Sequence, residues 1–301
     1  MTTLAPIALF VYNRPRHTRQ TVDALLKNEL AGESDLIVFS DGAKDSASSQ
    51  NVEDIRQYLR TISGFKSVRI VERECNFGLA SSIISGVTQI INEYGRIIVI
   101  EDDLVTSPFF LRYMNDALEY YENEDRVISI HGYCYSINGL PETFFLKGAD
   151  CWGWATWKRG WDIFELDGRK LLEQLKQKGL LDRFDFFGAY GYTQMLRDQI
   201  EGKNNSWAIR WQGSAFVNDK LTLYPSRSLV LNIGFDGSGV HCAADNRLDV
   251  VLSEIPVQVS TIDISESLFA LEQFQHFLNK LKPSWPVRIK EKISRILHRL
   301  L

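Results

Sequence analysis

The sequence predicts an α/β protein whose core is a doubly wound, mostly parallel sheet. Apolar runs and helix-like patterns alternate four times between residues 7 and 121. The runs are continuous, as strands must be when helices cover both faces of a sheet. Three of them end in polar residues, and in such sheets ligands sit beyond the carboxyl ends of the strands.

"IALFVYN" (7–13) reads as the first strand, and Pro15 to Leu26 as a helix with Thr18, Val22 and Leu25 or Leu26 along one side. The second strand, "DLIVFSDG" (35–42), ends in an acid and a glycine. "NVEDIRQYLRTI" (51–62) carries Val52, Ile55, Leu59 and Ile62 at helical spacing. "SVRIV" (67–71) is the third strand, "GLASSIISGVTQIINEY" (78–94) the third helix and "RIIVI" (96–100) the fourth strand. Glu101, Asp102 and Asp103 follow without a break. Ser107 and Pro108 then read as the cap and first residue of a helix over 108–121.

After residue 130 glycine and aromatics become dense. "GADCWGWATWKRGWDIFE" (148–165) holds four Trp within ten residues, Trp152, Trp154, Trp157 and Trp161. "YGYTQMLRDQIEGKNNSWAIRW" (190–211) reads as a helix, a polar turn and a strand, and "NIGFDGSGVH" (232–241) as a glycine-rich loop. The expected units are 1–130, 131–250 and 251–301, the last a strand and a helical tail. No low-complexity linker separates them, so the second half is expected to be fused to the sheet.

A net charge of -4 gives no whole-surface case for nucleic acid. Cys75, Cys134, Cys151 and Cys242 form no CxxC pair and read as free thiols of a reducing compartment. The opening "MTTLAPIALFVYNRP" has no basic leader and reads as a first strand, not a signal peptide. No apolar stretch reaches the roughly 20 residues that span a bilayer. The tail "WPVRIKEKISRILHRLL" places Ile289, Ile293, Ile296 and Leu300 on one helical side, and five basic residues face one Glu between Arg288 and Arg299. Such a basic amphipathic helix can lie on an anionic membrane through residues 287–301, or pack on the enzyme or a partner.

The first strand is followed by "NRPRHT", without the glycines of a dinucleotide fold, and no P-loop run exists. Three adjacent carboxylates repel one another. They read either as a solvated acidic turn or as hard oxygen ligands for Mn²⁺ or Mg²⁺, shared with a phosphorylated substrate.

The pieces "ALFVYNRPRHTRQTVDALLKN", "FSDGAKD", "ERECNFGLASSIISGV", "IVIEDDLVTSPFFLRYMNDAL", "CWGWATWKRGW" and "NIGFDGSGVH", in that order, resemble the nucleotide-sugar glycosyltransferases of the A-type fold. More narrowly they are similar to the family-2-like and N-acetylglucosaminyltransferase I-like enzymes, over about residues 5–245. The resemblance implies a metal-dependent transferase, with Mn²⁺ or Mg²⁺ and a UDP-linked sugar donor, acting on a glycan or lipid-linked glycan in the cytoplasm or at the inner face of a membrane. Tyr12, Asn13 and Arg14 would line the nucleotide end, Asp41 the nucleoside, and Asn76, Gly78 and Leu79 would close over the base. Glu101 and Asp103 would hold the metal, with His241 as a further ligand, and Asp102 would hold ribose or donor hydroxyls. Trp154 and Asp150 would approach the sugar.

An inverting transfer, which the resemblance favours, needs a carboxylate to take the acceptor proton. The family pattern puts an acid between aromatics where this chain has "NNSWAIRW", and Ala208 and Ile209 offer none. Asp150 and Asp198 are the substitutes. The Trp cluster is either core or a sugar-stacking surface. Competing readings are a nucleotidyltransferase, which would want a glycine-rich loop after its first strand, and a non-catalytic carbohydrate-binding protein, which would leave the nucleotide-side pieces unexplained.

Overall fold

A computed structural model describes residues 3–237 and 247–282. The first half alternates as expected, through β1 (Ile7–Val11), α1 (Pro15–Leu26), β2 (Asp35–Ser40), α2 (Ser46–Leu59), β3 (Ser67–Glu72), α3 (Leu79–Tyr94) and β4 (Arg96–Glu101). Pro15 occupies the first turn of α1, where its missing N–H costs nothing. Asp45 starts α2 earlier than the apolar spacing implies, because it caps the Ser48 N–H at 2.9 Å in a capping box.

The chain continues through β5 (Leu104–Thr106), α4 (Phe110–Tyr120), β6 (Val127–His131), β7 (Thr143–Lys147), β8 (Trp154–Trp157), α5 (Lys158–Trp161), α6 (Gly168–Gln177), α7 (Leu181–Phe184), α8 (Tyr192–Ile200), α9 (Trp207–Val217), β9 (Leu221–Pro225), β10 (Val230–Asn232) and α10 (Leu268–Leu281). The large sheet runs β3-β2-β1-β4-β8-β6-β9-β7. Its β3, β2, β1 and β4 are mutually parallel; β8 then enters antiparallel between β4 and β6. One sheet therefore crosses residue 130 without interruption.

Alternate residues of each strand feed two cores. Leu9, Val38, Ile98 and Ile100 pack with α1, α2 and α4. Ala8, Phe10, Ile37, Phe39, Ile97 and Val99 pack with α3 and with Trp154, Trp161, Trp207 and Trp211. This is the doubly covered arrangement that continuous apolar strands require.

Three expectations change. Residues 207–211 are helical, not a strand, since the Ser206 hydroxyl caps the Ile209 N–H at 3.2 Å and starts α9. That helix is buried nearly all round, so it carries no polar face to reveal its period. The helix expected from Pro108 starts at Phe110, after a turn in which Ser107 Oγ accepts from the Phe109 N–H at 3.3 Å. Residues 251–264 form no strand. Instead α10, capped by Ser267, buries Ala270, Leu271, Phe274 and Leu278 at helical spacing. The amphipathic stretch 287–301, like His241 and Cys242, lies outside the described residues. No described helix is long and apolar enough to cross a membrane.

Candidate active site

Because β2, β1 and β4 are neighbours, their polar carboxyl ends meet. Arg14, just before α1, donates from Nη2 to Asp102, and to Asp103 Oδ2 at 2.9 Å. The Tyr12 backbone N–H also reaches Asp102, and Thr21 Oγ1 donates to the Asp102 carbonyl at 2.9 Å. Arg14 thus answers part of the repulsion in the acidic run. Burial opposes its charge, but the two carboxylates together outweigh that and push its pKa up.

One guanidinium does not offset three acids. Burial, then Asp103 and Asp102, pushes the Glu101 carboxyl up to about 8. Burial pushes Asp102 up to about 6 against the pull of Arg14. The cluster favours proton or cation uptake near neutral pH. Among the described residues no three His, Cys, Asp or Glu converge as a ready-made metal cage. One or two carboxylates with substrate phosphates are nevertheless a usual donor set for Mg²⁺, so Asp103 and Glu101 fit the hard-oxygen chemistry.

A loop closes over the acids. β10 pairs with β5, setting Asn232 against Leu104, and the Ile233 N–H donates to the Asp103 carbonyl at 2.8 Å. A Cβ on Gly234 would lie 2.2 Å from Asp103 Oδ2, so glycine lets the loop come this close without moving the carboxylate. Phe235 packs edge-on against Trp152 at 5.5 Å, and His17 Nε2 meets Asp236 at 3.1 Å.

Asp41 is differently placed. Its Oδ1 accepts the N–H groups of Gly42 at 2.9 Å and Phe77 at 2.8 Å. Its Oδ2 accepts the Gly78 N–H at 2.9 Å and Asn76 Nδ2 at 3.2 Å. A carboxylate has about four acceptor sites, and all are used. Asp41 therefore fastens the loop 76–78 to β2, and Gly42 permits it, since a Cβ there would meet the Cys75 backbone at 2.4 Å. Leu79 and Phe77 are exposed beside this loop, and the Tyr12 hydroxyl accepts from the Lys44 N–H at 3.1 Å. Asn13 is half-buried between Tyr12 and Arg14.

On the far side of β4, the segment before β8 brings Asp150 toward the cluster. Asp150 Oδ1 accepts the Cys151 N–H at 3.0 Å, and its Oδ2 lies 3.8 Å from His131 Nε2. Burial, then Asp150, Glu101 and Asp103, raises the Cys151 thiol, which ties the two acidic groups into one field. His131, at the end of β6, is fully buried, and neither ring nitrogen has a hydrogen-bond partner among the described residues. Burial pushes its pKa down, against Asp150.

Residues 7–190 match the description Glycosyl transferase family 2. The chain belongs to that family. Solved structures overlap this family 2 chain only in part. A mannosyltransferase of Pyrobaculum calidifontis, in complex with GDP-Man and Mn²⁺, has 12% identity over 43% of this chain and 35% of its own, with TM-score 0.32. TarS of S. aureus has 17% identity over 48% and 24%, with TM-score 0.32. A UDP-glucose pyrophosphorylase complexed with UDP-glucose has 13% identity over 54% and 79%, also at 0.32. The chain thus spans about a third of the mannosyltransferase and a quarter of TarS. No curated protein matches it.

Two expected site residues of this family 2 chain sit elsewhere. Trp154 is fully buried, its ring 5.5 Å from Trp207 and 5.7 Å from Trp211, so it packs as core. Gly153, at φ +64, breaks the alternation that would have pointed Trp152 and Trp154 the same way. Trp152 instead faces Tyr133 and Phe235 at the site. Asp198 lies on α8, bonded to Gln194 at 3.0 Å and Lys203 at 3.4 Å, and among the described residues no hydrogen bond or ion pair links it to the acids. Sequence reasoning missed His131 and Gly234, and it grouped Trp152 with Trp154. A histidine ending an apolar run and a glycine two residues after a strand were the available signals.

Proposed function

We propose that the chain moves a sugar from a nucleoside diphosphate donor, UDP-linked by its family resemblance, to a hydroxyl of a glycan or lipid-linked glycan. The observation that carries this reading is the strand-end cluster, in which one guanidinium faces a buried Asp102 and the half-buried Glu101 and Asp103. Asp103 and Glu101 would hold Mn²⁺ or Mg²⁺, which when bound would supply positive charge against the diphosphate and the departing leaving group.

The chain's own groups then divide the work. Arg14 is only partly exposed and already oriented by Asp102, so its free edge is available to a diphosphate oxygen. The loop held by Asp41 covers the nucleoside side, where Tyr12, Asn76, Gly78 and Leu79 lie. Asp150, half-exposed across β4 from that loop, takes the acceptor hydroxyl proton as the oxygen attacks the sugar carbon. A base there supports inversion. The basic stretch 287–301 would hold the enzyme against an anionic inner membrane face, where a lipid-linked acceptor resides.

The test is a calorimetric titration with UDP, with and without Mn²⁺, on wild type and Asp103→Ala. Wild type should bind UDP far better with Mn²⁺, and the variant should lose that gain while melting at nearly the same temperature. Equal Mn²⁺-dependent affinity in a folded variant overturns the metal assignment. Preference for a nucleoside triphosphate would instead favour nucleotidyl transfer.

A further inference from the structure

Beyond the strand-end cluster, a groove of about 670 Å³ runs between α3 and the start of α9. Ser81 and Thr88 belong to one wall, and Leu166, Asn205 and Arg210 to the other. The α3 wall, from residue 80 to 88, is about 12 Å long at helical rise. It begins two residues after Gly78, whose N–H is fastened to Asp41. The groove therefore opens from the nucleotide-side loop.

Arg210 is the wall that calls for an explanation. It is only 8% exposed. Its Nε donates to the Ser206 carbonyl at 3.2 Å and its Nη1 to the Leu166 carbonyl at 3.4 Å. A guanidinium has five donors, so most of the fork is left over. No carboxylate pairs with it among the described residues, and burial alone, with no acid opposing, pushes its pKa down. Glu165, next in the chain to the groove's Leu166, is engaged by Lys170. A buried cation without a counterion is costly, and a planar fork is suited to a carboxylate or phosphate.

We propose that this groove is an oxyanion subsite for an acidic sugar of the acceptor, with Arg210 gripping its carboxylate or phosphate and Asn205 and Ser81 meeting sugar hydroxyls. The word acceptor rests on the glycosyltransferase reading above; the anion site does not.

The experiment titrates the full chain calorimetrically with glucuronate, glucose 6-phosphate and glucose. At least one of the two anions should bind ten-fold or more tightly than glucose, and the better of the two identifies the acidic group. Arg210→Met should lose that preference and Arg210→Lys should keep part of it. Arg210 also holds two carbonyls, so Ser81→Trp provides an independent arm that fills the groove from the opposite wall. It should lose the preference too. Binding of glucose as tight as of both anions, or undiminished anion binding in folded Ser81→Trp, overturns the proposal. UDP titration with Mn²⁺ on the same samples keeps the two readings apart. Anion binding without UDP binding sinks the transferase and leaves the subsite, and the converse sinks only the subsite.

Discussion

Glu101→Gln should make the protein's stability less sensitive to alkaline pH. Glu101 ends β4 beside two further acids, and burial together with Asp103 and Asp102 raises its carboxyl from 4.5 to about 8. The folded pKa lies above the unfolded one, so folding favours the protonated form. That contribution is complete below pH 4.5 and is lost as pH rises to about 8. Within this window each pH unit changes stability by about 1.4 kcal/mol, so pH 6 to pH 8 removes roughly 3 kcal/mol. Asp102, raised to about 6, has spent most of its own effect below this range. Gln keeps the shape and cannot ionise. Urea unfolding of metal-free wild type and variant at several pH values between 6 and 8 measures the effect. The variant should gain on wild type by about 2–3 kcal/mol across the interval, while titrations of groups remote from the cluster cancel in the difference. A gap that stays constant with pH would refute the reasoning, because it would mean that Glu101 is as well solvated in the fold as in the unfolded chain.

Other substitutions separate site from scaffold. Asp150→Asn should cut transfer by about 10²-fold or more with UDP affinity unchanged, the usual size of a base contribution; near-normal turnover in a steady-state assay removes Asp150 as the base. Trp154→Ala should cost about 3–5 kcal/mol in urea unfolding, as a fully buried aromatic; a loss of donor use at unchanged stability would return it to the sugar. Gly234→Ala should push the Asp103 carboxylate aside, since the new Cβ would stand 2.2 Å from Oδ2. Mn²⁺-dependent UDP affinity should fall with little change in melting temperature, and retained affinity would show that the loop yields instead.

The first half of the fold was legible because its signals are local. Four continuous apolar strands and the intervening helical spacings need no knowledge of what they touch. The strand ends were legible for the same reason, since sheet order alone brings Tyr12–Arg14, Asp41 and Glu101–Asp103 together. The second half resisted because its cues are relational. β6, β7 and β9 are short, and they join the sheet out of sequence order, with β8 inserted against β4. α9 is buried nearly all round, so its spacing carries no amphipathic mark. The parity that linked Trp152 with Trp154 failed at one glycine with positive φ, a backbone detail that side-chain type does not announce.

Asp41 and Asp103 look alike in the sequence, each an acid beyond an apolar strand, yet their surroundings give them opposite roles. Asp41 has every acceptor site filled by the chain, and a ligand that took one would leave a buried N–H unpaired, at about 1–3 kcal/mol. It serves as a fastener, holding the loop 76–78 in one shape before any nucleotide arrives. Asp103 shares a single guanidinium with Asp102, lies beside Glu101, whose carboxyl burial and the neighbouring acids push up, and meets Gly234. Its environment gains free energy when positive charge enters. On the proposed reading, a site that binds and releases a diphosphate uses both kinds of acid. The satisfied one lowers the ordering cost of binding, and the unsatisfied ones leave electrostatic energy to be released when the charge is balanced.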